Sequence, residues 1–217
     1  MVSRLITLIV PAFKETLFMV SITTLFAVLI GTPIGVLLVS TRKKHILENN
    51  ILHQTLSYIV NFGRSFPFII LMISIIPFTR LIVGTSIGTK AAIVPLTVAT
   101  IPFYARVIEN ALLEVNWGII EASQAMGATP IQIIFKVLIP ESMPAIVLGI
   151  TITLVNVIGY SAMAGAVGGG GLGDLAIRYG YHRFDKEIMV WTVLLLIVIV
   201  QIIQFSGNFI SKQINRR

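Results

Sequence analysis

The sequence predicts an all-α, polytopic membrane protein with five transmembrane helices and one sizeable loop on the cytoplasmic side. The chain of 217 residues is 56% hydrophobic and 12% charged, about half the charged fraction of a soluble domain. Its mean hydropathy is +0.94. Several apolar runs reach the ~20 residues that a helix needs to cross a bilayer. We therefore expect most of the chain to face lipid or other membrane helices.

The first three apolar runs are expected to form three spans. Residues 16–40 contain no charged side chain and are followed by the basic segment Thr41–His45. The second span is placed at about 55–78, with Arg64 near one membrane face, where its long side chain can snorkel to water or meet a partner subunit. The third covers about 82–105 and includes two prolines, which membrane helices tolerate.

The last two runs complete a predicted membrane domain at residues 12–206. The uncharged run 142–172 is too long for one straight span, so its final part, "GYSAMAGAVGGGGLG", is expected to be bent or broken. The fifth span covers 188–209 and precedes a polar, basic tail. An odd number of spans places the two termini on opposite sides of the membrane.

The basic residues favour one orientation only weakly. One side carries Arg42, Lys43, Lys44, Arg106, Lys136, Lys212, Arg216 and Arg217, and the other carries Arg4, Lys14, Arg80, Lys90, Arg178, Arg183 and Lys186. The small excess on the first side favours a cytoplasmic C-terminus and an external N-terminus. The net charge of +7 is expected to serve contact with anionic lipid and topology, with no nucleic-acid partner.

Residue types that support metal or redox chemistry are scarce. Cysteine is absent, which excludes disulfides and thiolate chemistry. The three histidines, His45, His53 and His182, lack metal-ligand spacing. No metal, cofactor or catalytic residue is therefore expected in this chain.

The segment 106–141 is the one long stretch predicted to lie outside the membrane, and it reads as helix, turn, helix. Asn116 is expected to cap a helix that runs to Met126, and Gly127 to supply a left-handed stop. Thr129 should cap a second helix, with Gln132 completing a capping box. This second helix is expected to end at Pro140.

Apolar residues on the two short helices form two expected faces. These residues are Ile119, Ala122 and Met126 on the first helix and Ile131, Ile134, Phe135 and Leu138 on the second. Two interpretations remain open from the residues alone. The pair could lie passively on the membrane surface, or it could be a rigid unit that fits a groove on a partner protein.

The sequence "EASQAMGATPIQIIFKVLIP" resembles the EAA loop of ABC importer permeases. Glu121, Ala122, Gly127 and Pro140 match the motif at its spacing, while Ser123 stands where the motif has a second alanine. The stretches "RVIENALLEV" and "GYSAMAGAVGGGGLG" are similar to methionine-importer permeases in particular. The resemblance covers nearly the whole chain and implies the type I importer permease fold.

The resemblance also implies partners and roles. It implies a second copy of the permease, two ATPase subunits that hold ATP and Mg²⁺, and an external methionine-binding lipoprotein, in a bacterial inner membrane. The chain lacks the G-x-x-x-x-G-K-[ST] phosphate loop, in agreement with a subunit that is not itself an enzyme. The loop residues Glu121, Ala122, Ser123, Gly127 and Pro140 are expected to couple to the ATPase. For Glu121, an ion pair or cap within the loop is the alternative.

A polar stripe on the fourth span is the candidate translocation path. Thr153, Asn156, Tyr160 and Met163 recur at helical spacing on one face. Such stripes face a bundle interior or a water-filled route, and hydrogen bonds between helices are the alternative. Met163 is the expected gate, because a flexible apolar side chain can occlude a narrow pore.

The sequence leaves several other functions open. The glycine run satisfies G-x-G-x-x-G but follows a membrane helix, so dinucleotide binding is not expected. The scaffold could import another amino acid or an osmolyte. A passive channel, a secondary transporter or a structural anchor belongs to another class, but the chain has neither the internal repeats nor the intramembrane acid that are typical of a secondary transporter.

Overall fold

The computed structural model describes residues 2–215, with side chains from residue 5 onward. The side chain of Arg4, and Arg216 and Arg217, which entered the charge comparison, lie outside these described residues. The described part is helical, without a β-strand among residues 2–215. Its helices are α1 Val2–Ser40, α2 Asn50–Arg64, α3 Phe68–Ser74, α4 Ile76–Val83, α5 Thr89–Leu113, α6 Trp117–Ala125, α7 Pro130–Ile133, α8 Ile139–Glu141, α9 Met143–Gly165, α10 Gly171–Leu175 and α11 Lys186–Ile214.

Four of these helices are long and apolar enough to cross a membrane, namely those at Leu5–Ser40, Thr89–Leu113, Met143–Gly165 and Lys186–Ile214. The pair α2 and α3 passes the same test together but is bent by 95°. The expected five spans are reached when this bent pair counts as one span.

The prediction of one continuous helix over 55–78 is wrong. The chain leaves the helix after Arg64 and resumes at Phe68, with Pro67 as the N-terminal cap of α3. Pro67 has no backbone N–H to continue the helix, and it disfavours helical geometry at the preceding Phe66. A second short break at Ile75 separates α3 from α4.

The third predicted span also has different bounds. Residue 82 belongs to α4, and α5 begins only at Thr89 because Gly84 and Gly88 have φ values of +80° and +96°. These values end a right-handed helix. The other end of α5 extends to Leu113, so residues 106–113 belong to the membrane helix and not to the loop.

The predicted bend in the fourth run is confirmed. Helix α9 ends at Gly165, and the chain turns through Gly168 and Gly170 to Gly171, where α10 begins; all three glycines have positive φ. From Leu175 the helix continues as a wider π-type segment, Ala176–Tyr181. The first and last helices are longer than predicted, since α1 passes through Pro11 and α11 reaches Ile214.

The most extensive contact between two helices of the bundle joins α1 to α5. A Cβ added to Gly35 would lie 2.7 Å from Cβ of Ile108, and one added to Gly31 would lie 2.9 Å from the ring of Tyr104. These small residues let the two backbones approach closely, as is common between membrane helices. The α5 side chains then continue into a core that also fixes the short helices at one end of the bundle.

Candidate functional site

The short helices α6 and α7 are capped as predicted. The side chain of Asn116 accepts a hydrogen bond from the backbone N–H of Gly118 at 2.8 Å, which satisfies one free donor at the start of α6. At α7, Thr129 and Gln132 bond each other's backbone N–H groups in a capping box. The sequence therefore specifies both helix starts locally.

Gly127 forms the turn between these helices. Its φ is +80°, in the left-handed region that side chains with a Cβ disfavour. The N–H of Gly127 donates to the carbonyl of Gln124 at 2.9 Å, and that of Ala128 donates to Ser123 at 3.1 Å. A Cβ at position 127 would meet no atom within 4 Å. The requirement for glycine is thus conformational and not steric.

The second short helix does not end at Pro140, which corrects the prediction. Between α7 and α8 the helix widens into a π-type segment, Ile134–Leu138, and it then continues to Glu141. In this segment the N–H of Ile139 donates to the carbonyl of Ile134. The wider turn accommodates Pro140, whose ring and missing N–H would disrupt a regular helix.

The inner face of the helix pair is fixed on the bundle. Ile120, Ile133 and Leu138 are almost fully buried, and they belong to one core with Ile108 and Leu112 of α5. The expected grouping of Ile134 and Leu138 with Ile131 and Phe135 is wrong, because the first two are buried and the other two are exposed. The pair is therefore rigidly attached to the membrane helices.

The outer face of the helix pair is exposed and largely apolar. Met126 is 80% exposed, Ile131 68% and Phe135 66%, and Trp117 and Ile119 are also exposed. We call these five residues the outer apolar face. An apolar patch carried by a rigid element at one end of a bundle is typical of a protein–protein contact.

The predicted coupling residues have different surroundings. Glu121 and Ala122 are exposed, and Glu121 has no hydrogen bond or ion pair among the described residues. Ser123 is buried, and its hydroxyl donates to the carbonyl of Ile119 at 2.7 Å. Ser123 thus stabilises α6 from within, while Glu121 and Ala122 are available at the surface. Pro140 is exposed on the second helix.

A ring contact joins the helix pair to the loop after α1. His45 meets Trp117 with centroids 5.3 Å apart and planes at 61°. Desolvation, with a smaller contribution from the charge of Arg42, holds the pKa of His45 below its ordinary value of 6.5. The neutral imidazole is therefore favoured at this contact.

The structure divides the predicted stripe on α9. Thr153 is fully buried, and its hydroxyl donates to the carbonyl of Gly149 within the same helix. Asn156 and Tyr160 are half-buried, and Met163 is 49% exposed. The ring of Tyr160 stacks on Phe68 of α3 with centroids 4.6 Å apart. Asn156, Tyr160 and Met163 can therefore face a path or a partner, but Thr153 cannot do so in this arrangement.

Sequence reasoning missed a cleft beside this stripe. The cleft has a volume of about 210 Å³ and is lined by Gly63, Arg64, Phe66, Phe68, Ala99, Phe103 and Tyr160. Its lining comes from α2, α3, α5 and α9, which the break at Pro67 brings together. The dipeptide Phe66–Pro67 is the local signal that could have indicated this break.

The described residues contain no cluster of three or more His, Asp or Glu side chains that could hold a metal ion. Acidic groups instead make single contacts, such as the ion pair of Glu109 with Arg106 and that of Asp174 with Arg178. Arg106 also donates to Ser57 and Asn61 of α2. The two ion pairs each lie within one helix, and the hydrogen bonds of Arg106 join α5 to α2.

The fold and the site define a polytopic helical membrane protein that presents a rigid, apolar helix pair at one end of its bundle. Residues 27–217 match the family described as the inner membrane component of binding-protein-dependent transport systems. The chain belongs to this family.

Relatives and solved structures resemble the chain over most of its length. It is 57% identical to the probable D-methionine transport system permease protein MetI of Vibrio cholerae, over 97% of this chain and 93% of the relative. It is 58% identical to the Escherichia coli protein of that type, over 73% of each chain. A chain in an inward-facing structure of the MetNI methionine ABC transporter has 52% identity, a TM-score of 0.97 and full coverage of both chains.

A more distant structure supports the fold alone. A chain of an amino acid ABC transporter crystallised with histidines has 16% identity and a TM-score of 0.80, over 98% of this chain and 96% of that one. The same arrangement of helices therefore occurs at low sequence identity.

Proposed function

We propose that this chain is the permease subunit of an ATP-driven methionine importer. The observation that carries the proposal is the 57% identity, over nearly both whole chains, with a probable D-methionine transport permease. In this role two copies of the chain form a path through a bacterial inner membrane. ATP and Mg²⁺ bind to two separate ATPase subunits, and an external lipoprotein delivers methionine. The membrane domain corresponds to residues 12–206.

The outer apolar face and Glu121 form the proposed contact with the ATPase. Support comes from the exposure of Met126 and Phe135 on helices whose opposite side is anchored in the core. Because the inner face packs directly on α5, a displacement of the helix pair is transmitted to a membrane helix. Glu121 and Ala122 lie on this surface, Gly127 sets the angle between the helices, and Pro140 lies on the second helix. Ser123 acts by holding α6 in shape.

The proposed path lies along Asn156, Tyr160 and Met163 of α9. Support comes from their partial exposure, whereas the other polar side chains of α9, on Thr151, Thr153 and Ser161, are buried. A half-buried amide in a membrane span normally faces the bundle interior or water. Met163, the most exposed of the three, is the proposed gate.

The proposed orientation places the helix pair and the C-terminus in the cytoplasm and the N-terminus outside. The chain has no cysteine, so a single introduced cysteine reports its own location. Lys43→Cys, at an exposed position of the loop after α1, should react with a membrane-impermeant maleimide only in inverted vesicles, and Ser86→Cys only in intact spheroplasts. Reaction of both sites from the same side would contradict the orientation and the five-span topology.

The substrate assignment is tested in cells that lack their own methionine uptake. Expression of this chain with its ATPase and binding protein should restore accumulation of labelled methionine, and purification through a tag on this chain should recover both ATPase and a second permease copy. Uptake of another amino acid or an osmolyte, without uptake of methionine, would favour the alternative importer on the same scaffold.

A further inference from the structure

Arg64 lies level with the middle of α5. A Cβ added to the neighbouring Gly63 would lie 3.0 Å from Cγ of Pro102, and Pro102 is near the middle of α5. Half of α5 is about 18 Å long at a rise of 1.5 Å per residue, more than an extended Arg side chain can reach. The Arg64 side chain therefore cannot reach either end of α5.

The height of Arg64 is fixed by a second contact. Arg106, one turn beyond Pro102 on α5, donates to Asn61 Oδ1 on α2 at 2.8 Å. Asn61 lies one turn before Arg64. The two contacts hold α2 antiparallel to α5 in a single register, so Arg64 cannot move toward either end without breaking them.

The guanidinium of Arg64 has no counter-charge among the described residues 2–215. No ion pair or side-chain hydrogen bond to it occurs among residues 2–215. A cation at this depth is costly unless it faces water or a partner charge. Arg64 is exposed and lines the cleft of about 210 Å³ described above, so the missing charge can enter from that side.

A second copy of the chain cannot supply the missing carboxylate, an argument that rests on the proposed homodimer. A two-fold axis perpendicular to the membrane keeps every residue at its own depth. The nine acidic residues are Glu15, Glu48, Glu109, Glu114, Glu121, Glu141, Asp174, Asp185 and Glu187. Seven of them lie at or beyond the ends of the long helices. Glu15 lies inside α1, but its carboxylate is beside Gly170 and Thr89, level with the start of α5. Glu109 lies about one turn inside α5 and is already paired with Arg106. Neither copy therefore offers an acid at the depth of Arg64.

The remaining walls of the cleft are suited to an apolar side chain. The rings of Phe66, Phe68, Phe103 and Tyr160 line it together with the small Ala99. Aromatic rings make favourable contacts with thioether sulfur, and their faces attract an ammonium group. The site thus offers one fixed cation for a carboxylate beside an aromatic surface for an apolar substituent.

From this arrangement we infer that the cleft is a substrate site within the permease for an apolar α-amino acid. The carboxylate of the amino acid binds Arg64, and the side chain of the amino acid packs against the aromatic walls. The site adjoins the proposed path through Tyr160, which both share. It deepens the proposed function, because it assigns recognition of the amino acid to the permease as well as to the binding protein.

A cysteine reporter tests occupancy of the cleft in the intact permease–ATPase complex in lipid nanodiscs. Ala99→Cys places the only thiol of this chain in the cleft, and mass spectrometry of the permease follows its modification by a methanethiosulfonate reagent. Saturating methionine should slow modification at least several-fold. Methioninol, which lacks the carboxylate, and acetate, which lacks the side chain, should give little protection.

Second-site variants identify the role of the cation. Protection by methionine should be lost in Ala99→Cys with Arg64→Gln and retained with the matched control Arg80→Gln, which removes an exposed cation on α4. Three results would overturn the inference: methionine does not protect Ala99→Cys when Arg64 is intact, methionine still protects it with Arg64→Gln, or acetate protects it as well as methionine does. If methionine is transported but does not protect the reporter, only this site is wrong. If methionine is not transported at all, the proposed function fails.

Discussion

The carboxylate of Glu15 accepts a hydrogen bond from the backbone N–H of Gly171 at 2.7 Å, although 156 residues separate them in sequence. The adjacent Thr16 hydroxyl accepts one from Leu172 at 2.8 Å. Together these side chains of α1 cap the helix that follows the glycine turn. The fit is close, because a Cβ on Gly170 would lie 2.8 Å from Oε2 of Glu15.

Removal of this cap should loosen the helix at 171–181 without unfolding the bundle. Glu15→Ala deletes the acceptor and the negative charge at the helix start, a loss of about 0.5–2 kcal/mol for a capping group. Hydrogen exchange of the amides at 171–175 should become faster, while exchange in α5 is unchanged. Glu15→Gln keeps an acceptor oxygen, so its exchange rate at 171–175 should lie between those of the wild type and Glu15→Ala. Unchanged exchange at 171–175 in Glu15→Ala would contradict the capping role.

The left-handed turn at Gly127 should tolerate asparagine better than valine. Nothing obstructs a side chain there, so the cost is the backbone strain of roughly 1–2 kcal/mol that a Cβ adds in this conformation. Asparagine adopts the conformation more readily than a β-branched residue. We expect Gly127→Val to reach normal membrane levels yet to bind the ATPase poorly, as measured by co-purification. The control Gly127→Asn should retain the ATPase, and equal retention by both variants would show that the turn geometry does not matter.

The contact of His45 with Trp117 should make the attachment of α6 sensitive to acid. The pKa of His45 is lowered in the folded protein, so the detached state binds a proton at higher pH than the attached state. Attachment should be complete above the ordinary value of 6.5. It should weaken as the pH falls below that value and become constant again below the lowered pKa. Fluorescence of Trp117 in a Trp191→Phe background reports the change, and His45→Gln should abolish its dependence on pH. A pH profile that is the same with and without His45 would contradict this account.

Asn156 should matter for transport and not for assembly. Asn156→Leu keeps a similar volume but removes the amide from the proposed path, so uptake of labelled methionine should fall severalfold. The matched change Thr153→Val lies in the same helix but in a buried position, and it should have a smaller effect on uptake. Normal uptake by a well-assembled Asn156→Leu complex would assign this side chain to helix packing.

Local features of the helix pair could be predicted from the sequence, whereas long-range contacts could not. The caps at Asn116 and Thr129 and the turn at Gly127 depend on residues no more than five positions apart. A local stretch of sequence is therefore enough to predict them. The depth of Arg64 depends on its neighbour's contact with Pro102, and the cap by Glu15 joins distant segments. No local pattern encodes either contact.

Two errors in helix boundaries have the same physical origin in proline. Pro67 separates two helices because a proline disfavours helical geometry at the residue before it, here Phe66. Pro140 was expected to act likewise, yet the π-type turn at Ile134–Leu138 absorbs it, and the buried Ile133 and Leu138 keep that segment packed. Tertiary packing therefore decides which proline ends a helix.

The central claim is that this chain links ATP hydrolysis by a partner to the passage of methionine. Its most direct test is uptake into proteoliposomes that contain the purified permease–ATPase complex, with binding protein and labelled methionine on the side opposite the ATPase. Methionine should accumulate with Mg·ATP and should not accumulate with a non-hydrolysable analogue, and Gly127→Val should abolish accumulation. Equal entry of methionine with and without hydrolysable ATP would contradict the account and indicate a passive channel.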